Sequence, residues 1–121
     1  MENQNFLEIQ HVLDLYFEGV YRGDIERLKQ AFHPKALLFG EVNQSPYFKT
    51  LEEYLDIIKN RESPAELREE FNMEAYAIEI LGSLAIAKAS LRMLNYDYRD
   101  FLSLVKLDGR WQIVNKSFTN I

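Results

Sequence analysis

Three features of the sequence predict an α+β domain with helices packed on one face of an antiparallel sheet. Apolar residues recur at helical spacing up to about Asn60, four extended runs follow in series, and two-residue turn signals join those runs. The chain of 121 residues has room for one core of ordinary size, so residues 1–121 are expected to form a single domain.

Phe6, Ile9, Leu13, Tyr16, Phe17 and Val20 lie three or four residues apart and share one helical face. Tyr21-Arg22-Gly23 ends that helix, because Gly23 accepts the left-handed C′ conformation and Arg22 complements the negative helix end. Asp24 caps a second helix of about Ile25 to Phe32, with Ile25, Leu28, Ala31 and Phe32 turned inward. His33-Pro34 stops it, since the residue before a proline is pushed out of the α region. Ala36 to Phe39 reads as a short strand and Gly40 to Pro46 as a loop. Thr50-Leu51-Glu52-Glu53 fits a capping box, and a third helix then carries Leu51, Tyr54, Leu55 and Ile58 to about Asn60.

Beyond a polar connector around Arg61-Glu62-Ser63-Pro64, extended runs cover Phe71–Leu81, Leu84–Tyr96, Arg99–Leu107 and Trp111–Phe118. Gly82-Ser83 and Asp108-Gly109 supply hairpin turns, the Asp-Gly pair suiting a type I′ turn with positive φ at both central residues. A further turn falls near Asn95-Tyr96-Asp97. Closing the last hairpin at Asp108-Gly109 sets Leu107 opposite Arg110, and continues outward as Lys106–Trp111, Leu104–Ile113, Leu102–Asn115 and Asp100–Ser117. This face is apolar near the turn and polar further out, where Asp100, Asn115 and Ser117 converge, as a small-molecule pocket requires. The same polar residues would be solvated if they lay beyond the edge of the core. The opposite face presents Arg99, Phe101, Ser103, Val105, Gln112, Val114, Lys116 and Phe118, a mixture of apolar and charged groups expected to pair with a second copy.

Composition excludes several function classes. With net charge −5 and pI near 5.0, the chain repels phosphate backbones and anionic lipid, and no basic stripe overrides that average, so neither nucleic acid nor membrane is an expected partner. Without cysteine, a disulfide framework, a thiolate zinc site and a cysteine nucleophile are all impossible. A polar opening segment and the absence of an apolar run long enough to span a bilayer point to a cytoplasmic protein. His11 and His33 stand at unrelated positions, so no metal is expected, and no Gly-rich phosphate loop or nucleophile elbow is present. His33 suits proton transfer near neutrality, although at a helix end it equally complements the dipole.

Tyr16-Phe17-Glu18-Gly19-Val20-Tyr21-Arg22-Gly23-Asp24 followed by Phe32-His33-Pro34-Lys35-Ala36 resembles the opening of the nuclear transport factor 2-like superfamily. The closing stretch from Asp100 to Lys116 is similar to its lumazine-binding branch, near the polyketide-cyclase-like proteins. The resemblance implies a curved sheet wrapped around a cone-shaped cavity and a homodimer through the outer sheet face. It leaves chemistry open, because isomerases, dehydratases, cyclases and plain binding domains share this fold. Ketosteroid isomerase-like members use a first-helix tyrosine, an aspartate base and a protonated later-strand aspartate. By this resemblance Tyr16 matches the tyrosine, Gly40 occupies the base position and the second aspartate would fall near Ser103, where no carboxylate stands.

The sequence thus predicts a cavity that binds a small, largely apolar molecule without a cofactor, lined by Tyr16, Tyr47, Tyr54, Leu102, Trp111, Asn115 and Ser117. Two alternatives stand beside it. One is a cofactor-free dehydratase, isomerase or cyclase with Asp100 or His33 as base. The other is a dimerisation scaffold with no ligand.

Overall fold

The computed structural model describes residues 2–121. Helices α1 (Glu2–Arg22) and α2 (Ile25–Ala31) precede strands β1 (Phe32–Val42) and β2 (Ser45–Thr50). Helix α3 (Leu51–Asn60) follows, and then β3 (Met73–Leu81), β4 (Leu84–Met93), β5 (Tyr96–Leu107) and β6 (Arg110–Asn120). The six strands form one sheet in the order β2-β1-β6-β5-β4-β3. Neighbours run antiparallel except β1 and β6, which are parallel.

The helix boundaries follow from local chemistry. Gly23 takes φ +67 after α1, Asp24 accepts from the Arg27 N–H at 3.2 Å, and the Thr50–Glu53 capping box is formed in both directions. Helix α1 begins earlier than its apolar stripe suggests, and Phe6 is 41% exposed, so its inward face starts at Ile9. Helix α2 stops one residue short of the expected end. Phe32 opens β1 instead, its N–H donating to the Leu28 carbonyl.

The segment expected to be a loop, Gly40 to Pro46, is a hairpin. Strand β1 continues to Val42, and Asn43 and Gln44 form a two-residue turn with φ of 50 and 68. Strand β2 lies at the sheet edge, where Pro46 forfeits no ladder bond that a central strand would need. A second such turn at Leu94-Asn95 ends β4 earlier and starts β5 earlier than the sequence pattern indicated.

The most consequential departure is in β6. Leu104 pairs with Ile113 as expected, but Ser103 then pairs with Asn115, so Val114 is an extra residue forming a β-bulge. Every side chain beyond it changes face. Lys116 pairs with Leu102 and turns inward, and Phe118 pairs with Asp100, whereas Asn115 and Ser117 join the outer face.

The core lies between α1, α2, α3 and the inner sheet face, where Ala87, Ala89, Leu102, Leu104, Ile113 and Phe32 are fully or almost fully buried. Among the described residues, no helix is long and apolar enough to cross a membrane.

Candidate functional site

The bulge in β6 brings Lys116 beside Asp100 on the inner face of the sheet. Both are nearly removed from solvent, at 5% and 1% exposure, a costly position for charged groups unless they find partners. Helix α1 supplies one: the fully buried Tyr16 hydroxyl donates to Asp100 Oδ2 at 2.5 Å. The Tyr16 ring is fixed edge-on against Phe32, with centroids 5.7 Å apart, and Phe32 in turn meets Tyr54 of α3 at 6.0 Å. Aromatic packing across three elements therefore sets where that hydroxyl points.

Lys116 sits in an aromatic cage. Its Nζ lies 4.7 Å from the Phe118 ring centroid, 4.8 Å from that of Tyr54 and 5.3 Å from that of Tyr16, and donates to Tyr54 Oη at 3.5 Å. Ring faces attract a desolvated ammonium by about 2 kcal/mol or more, which holds a charge here without an adjacent ion pair.

Burial pushes the Asp100 carboxyl above the usual range, opposed by the charge of Lys116 and by the Tyr16 hydrogen bond. The Tyr16 hydroxyl is raised well above its ordinary value, first by burial and then by the Asp100 charge, so the shared proton stays on the tyrosine. Burial also lifts Tyr47, to about 12. All three directions favour the neutral form, as a low-dielectric pocket demands.

These groups border a cavity of about 80 Å³. Tyr54, Leu91, Met93, Asp100 and Lys116 form its buried floor, and the half-exposed Tyr47, Arg61, Tyr98 and Phe118 form its rim. Two buried polar atoms have no hydrogen-bond partner among the described residues, Asp100 Oδ1 and Arg61 Nη2, and both residues line this cavity.

Of the residues the sequence singled out, Tyr47, Tyr54 and Asp100 line the cavity, with Tyr16 behind Asp100. Leu102 is fully buried one inward position further along β5 and lies beneath the site without lining it. Asn115 and Ser117 do not face it: the bulge turns them outward, where Ser117 Oγ donates to Asn115 Oδ1 at 3.0 Å. Trp111 is buried near the β5–β6 turn, its Nε1 donating to Asn5 Oδ1 at 3.1 Å. His33 is half-buried at the start of β1, accepts the Lys35 N–H on Nδ1 and does not line the cavity. His11 is exposed on α1.

No carboxylate stands at Ser103, and the carboxyl that Tyr16 meets is that of Asp100. No base can occupy position 40, because a Cβ there would stand 2.4 Å from the Phe118 carbonyl oxygen and 2.7 Å from its ring. Sequence reasoning missed Arg61 and Lys116. The signal for Lys116 was present in the apolar phase of β6, which runs Trp111, Ile113 and then switches to Phe118.

A larger groove of about 440 Å³ lies towards the β5–β6 turn, bordered by Leu7, His11, Arg110 and Trp111. It is an open surface feature and holds neither of the unpartnered buried atoms, so the smaller cavity is the better site. No group of three or more metal-ligating side chains is found among the described residues.

The comparisons agree with this architecture. Methylobacillus flagellatus KT has a solved NTF2-like protein of unknown function with a TM-score of 0.86 at 29% identity, covering 98% of this chain and 93% of that one. A second, from Shewanella baltica OS155, gives a TM-score of 0.86 at 25% identity, with 100% and 97% covered. The Aldolase FrzH of a Cladobotryum species is 28% identical over 103 residues, which are 85% of this chain and 81% of that protein. A family model described as "Putative lumazine-binding" matches residues 4–119, and the chain belongs to that family, within the NTF2-like fold.

Proposed function

We propose that this NTF2-like domain binds a small molecule in the cavity between Asp100, Arg61 and Lys116. One observation carries the reading: two residues that line a single cavity, one acidic and one basic, each carry a buried polar atom without a partner. Buried polar atoms are almost always hydrogen-bonded, and leaving one unmade costs about 1–3 kcal/mol. A ligand that supplies both partners recovers that cost.

The cavity of about 80 Å³ is well below the roughly 300 Å³ at which drug-sized pockets begin. The enclosed part of the ligand is therefore small. A bicyclic pteridine such as lumazine, which the family description names, needs the rim side chains Tyr47 and Phe118 to swing outward before it enters.

Native mass spectrometry after incubation with cell extract tests the reading. A discrete added mass is expected, released on denaturation and absent from Met93→Trp, whose ring fills the cavity that Met93 lines. No added mass, together with no thermal shift from any fragment at millimolar concentration, contradicts it.

A second reading, proton transfer next to a carbonyl group, is favoured by the buried carboxyl of Asp100 with one oxygen free toward the cavity. The relative named as an aldolase adds support, since aldol chemistry begins with such a step. Binding remains the preferred reading, because the three-group constellation of the isomerase-like relatives is incomplete at Gly40.

The outer sheet face supports association with a second copy. One row of paired residues crosses all six strands there: Phe48, Phe39, Ser117, Phe101, Lys88 and Ala77. Phe48, Phe39 and Phe101 are each about half exposed, with Phe39 and Phe48 stacked at 4.6 Å. Exposed apolar surface gathered on one face in this way marks interaction sites. Lys116 and Phe118, placed on this face by the unbulged register, take no part in it.

A further inference from the structure

We infer that the cavity selects a small monocarboxylate bearing a neighbouring carbonyl or hydroxyl oxygen, its carboxylate held at Arg61 and its second oxygen at Asp100. This inference rests on the reading of the cavity as a ligand site and adds the chemical class of the ligand.

The charges lining the cavity are two cations, Arg61 and Lys116, and one carboxyl, Asp100. If Asp100 is ionised it balances Lys116, and Arg61 is in excess. If it is protonated, both cations are uncompensated. Neither cation takes part in an ion pair with another side chain among the described residues. Whatever the state of Asp100, the site is positive, and an anion is the complementary guest.

The unpartnered Arg61 Nη2 is a donor with no acceptor function, so the group opposite it must accept. A carboxylate does so with the planar, charge-assisted geometry that guanidinium groups favour. A dianion such as phosphate is less well matched. Arg61 is the C-cap of α3, where the negative end of the helix dipole opposes a second negative charge, and no helix N-terminus faces the cavity to offset it.

Asp100 fixes the second feature. Its Oδ2 is committed to Tyr16, which leaves Oδ1 as the atom the ligand meets. An ionised carboxylate accepts from a hydroxyl there, and a protonated one donates to a carbonyl oxygen. Both partners are short oxygen substituents, which suits a space of about 80 Å³. Leu91 and Met93 on the floor give the remaining carbon atoms an apolar wall.

Titration of ¹⁵N-labelled protein with 2-oxobutyrate, 2-oxobutanamide and butan-2-one tests the inference at equal carbon skeleton. Shifts are expected at Arg61, Leu91 and Asp100, with the acid bound about tenfold or more tightly than the amide or ketone and weakened by added salt. Arg61→Gln should abolish that preference while Arg61→Lys retains part of it, with an unchanged circular dichroism spectrum showing that both variants fold. Equal binding of acid, amide and ketone at the cavity overturns the anion inference and leaves the ligand site standing. Binding of only an unrelated neutral molecule found by native mass spectrometry has the same effect. Failure of every molecule to bind removes the ligand site itself.

Discussion

Tyr16 and Asp100, 84 positions apart in the chain, share a buried hydrogen bond of 2.5 Å in which the tyrosine is the donor. That bond ties the middle of α1 to the inner face of β5 and leaves the other carboxyl oxygen of this cavity-lining residue without a partner. The site is thus assembled by tertiary packing rather than by any local motif.

Asp100 makes stability depend on pH with a definite sign. A carboxyl whose pKa is higher in the folded than in the unfolded chain takes up a proton on folding between the two values. Its contribution is full below the unfolded value, near 3.8, and is lost as pH rises through the folded one. Asp100→Asn keeps an acceptor for Tyr16 and removes this loss. Urea unfolding should show the variant more stable than wild type at pH 7, with the difference shrinking toward pH 3. A variant no more stable at pH 7 refutes the upward shift.

Tyr16→Phe deletes the donor and leaves the buried Asp100 without its protein hydrogen-bond partner. The cost of one such loss is about 1–3 kcal/mol, so the midpoint of urea unfolding should fall with an unchanged slope. In the double variant with Asp100→Leu most of that loss should disappear, because no buried acceptor is left waiting. Equal destabilisation with or without Asp100 would show that Tyr16 acts through packing alone.

Gly40 has no room for a side chain. Gly40→Ala presses a methyl group against the Phe118 backbone and ring across the parallel β1–β6 pair, at separations that real Cβ atoms do not adopt. Overpacking of this kind costs typically about 1–3 kcal/mol. It should also tilt Phe118 away from Lys116, and loss of ring-current shifts on the Lys116 methylenes is the measurement that checks it.

Much of the fold could be read from residue order because the signals were local. Gly23, the Asp24 cap, the Thr50–Glu53 box and the Asp108-Gly109 turn each act within a few positions. The site was less legible for the same reason. Counting residues outward from Asp108-Gly109 assumes an unbroken ladder, and the extra residue Val114 moved Asn115 and Ser117 out of the site and Lys116 into it. Strand β2 was hidden because its turn, Asn43-Gln44, contains no glycine. Arg61 stood in a polar connector where nothing local distinguishes a cavity-facing guanidinium from a solvated one.

The aromatic row on the outer face predicts a dimer. Wild-type protein at micromolar concentration should sediment as a dimer, and Phe39→Asp with Phe101→Asp should sediment as a monomer that retains its circular dichroism spectrum. A monomeric wild type, or a double variant that remains dimeric, excludes this face as the interface.

Shift mapping of a small-fragment library on ¹⁵N- and methyl-labelled protein bears most directly on the central claim that the Asp100–Arg61–Lys116 cavity is the ligand site. The account predicts saturable shifts centred on Arg61, Leu91, Met93 and Asp100, abolished by Met93→Trp. Shifts gathered instead around Leu7, His11 and Trp111, in the open groove near the β5–β6 turn, would contradict it.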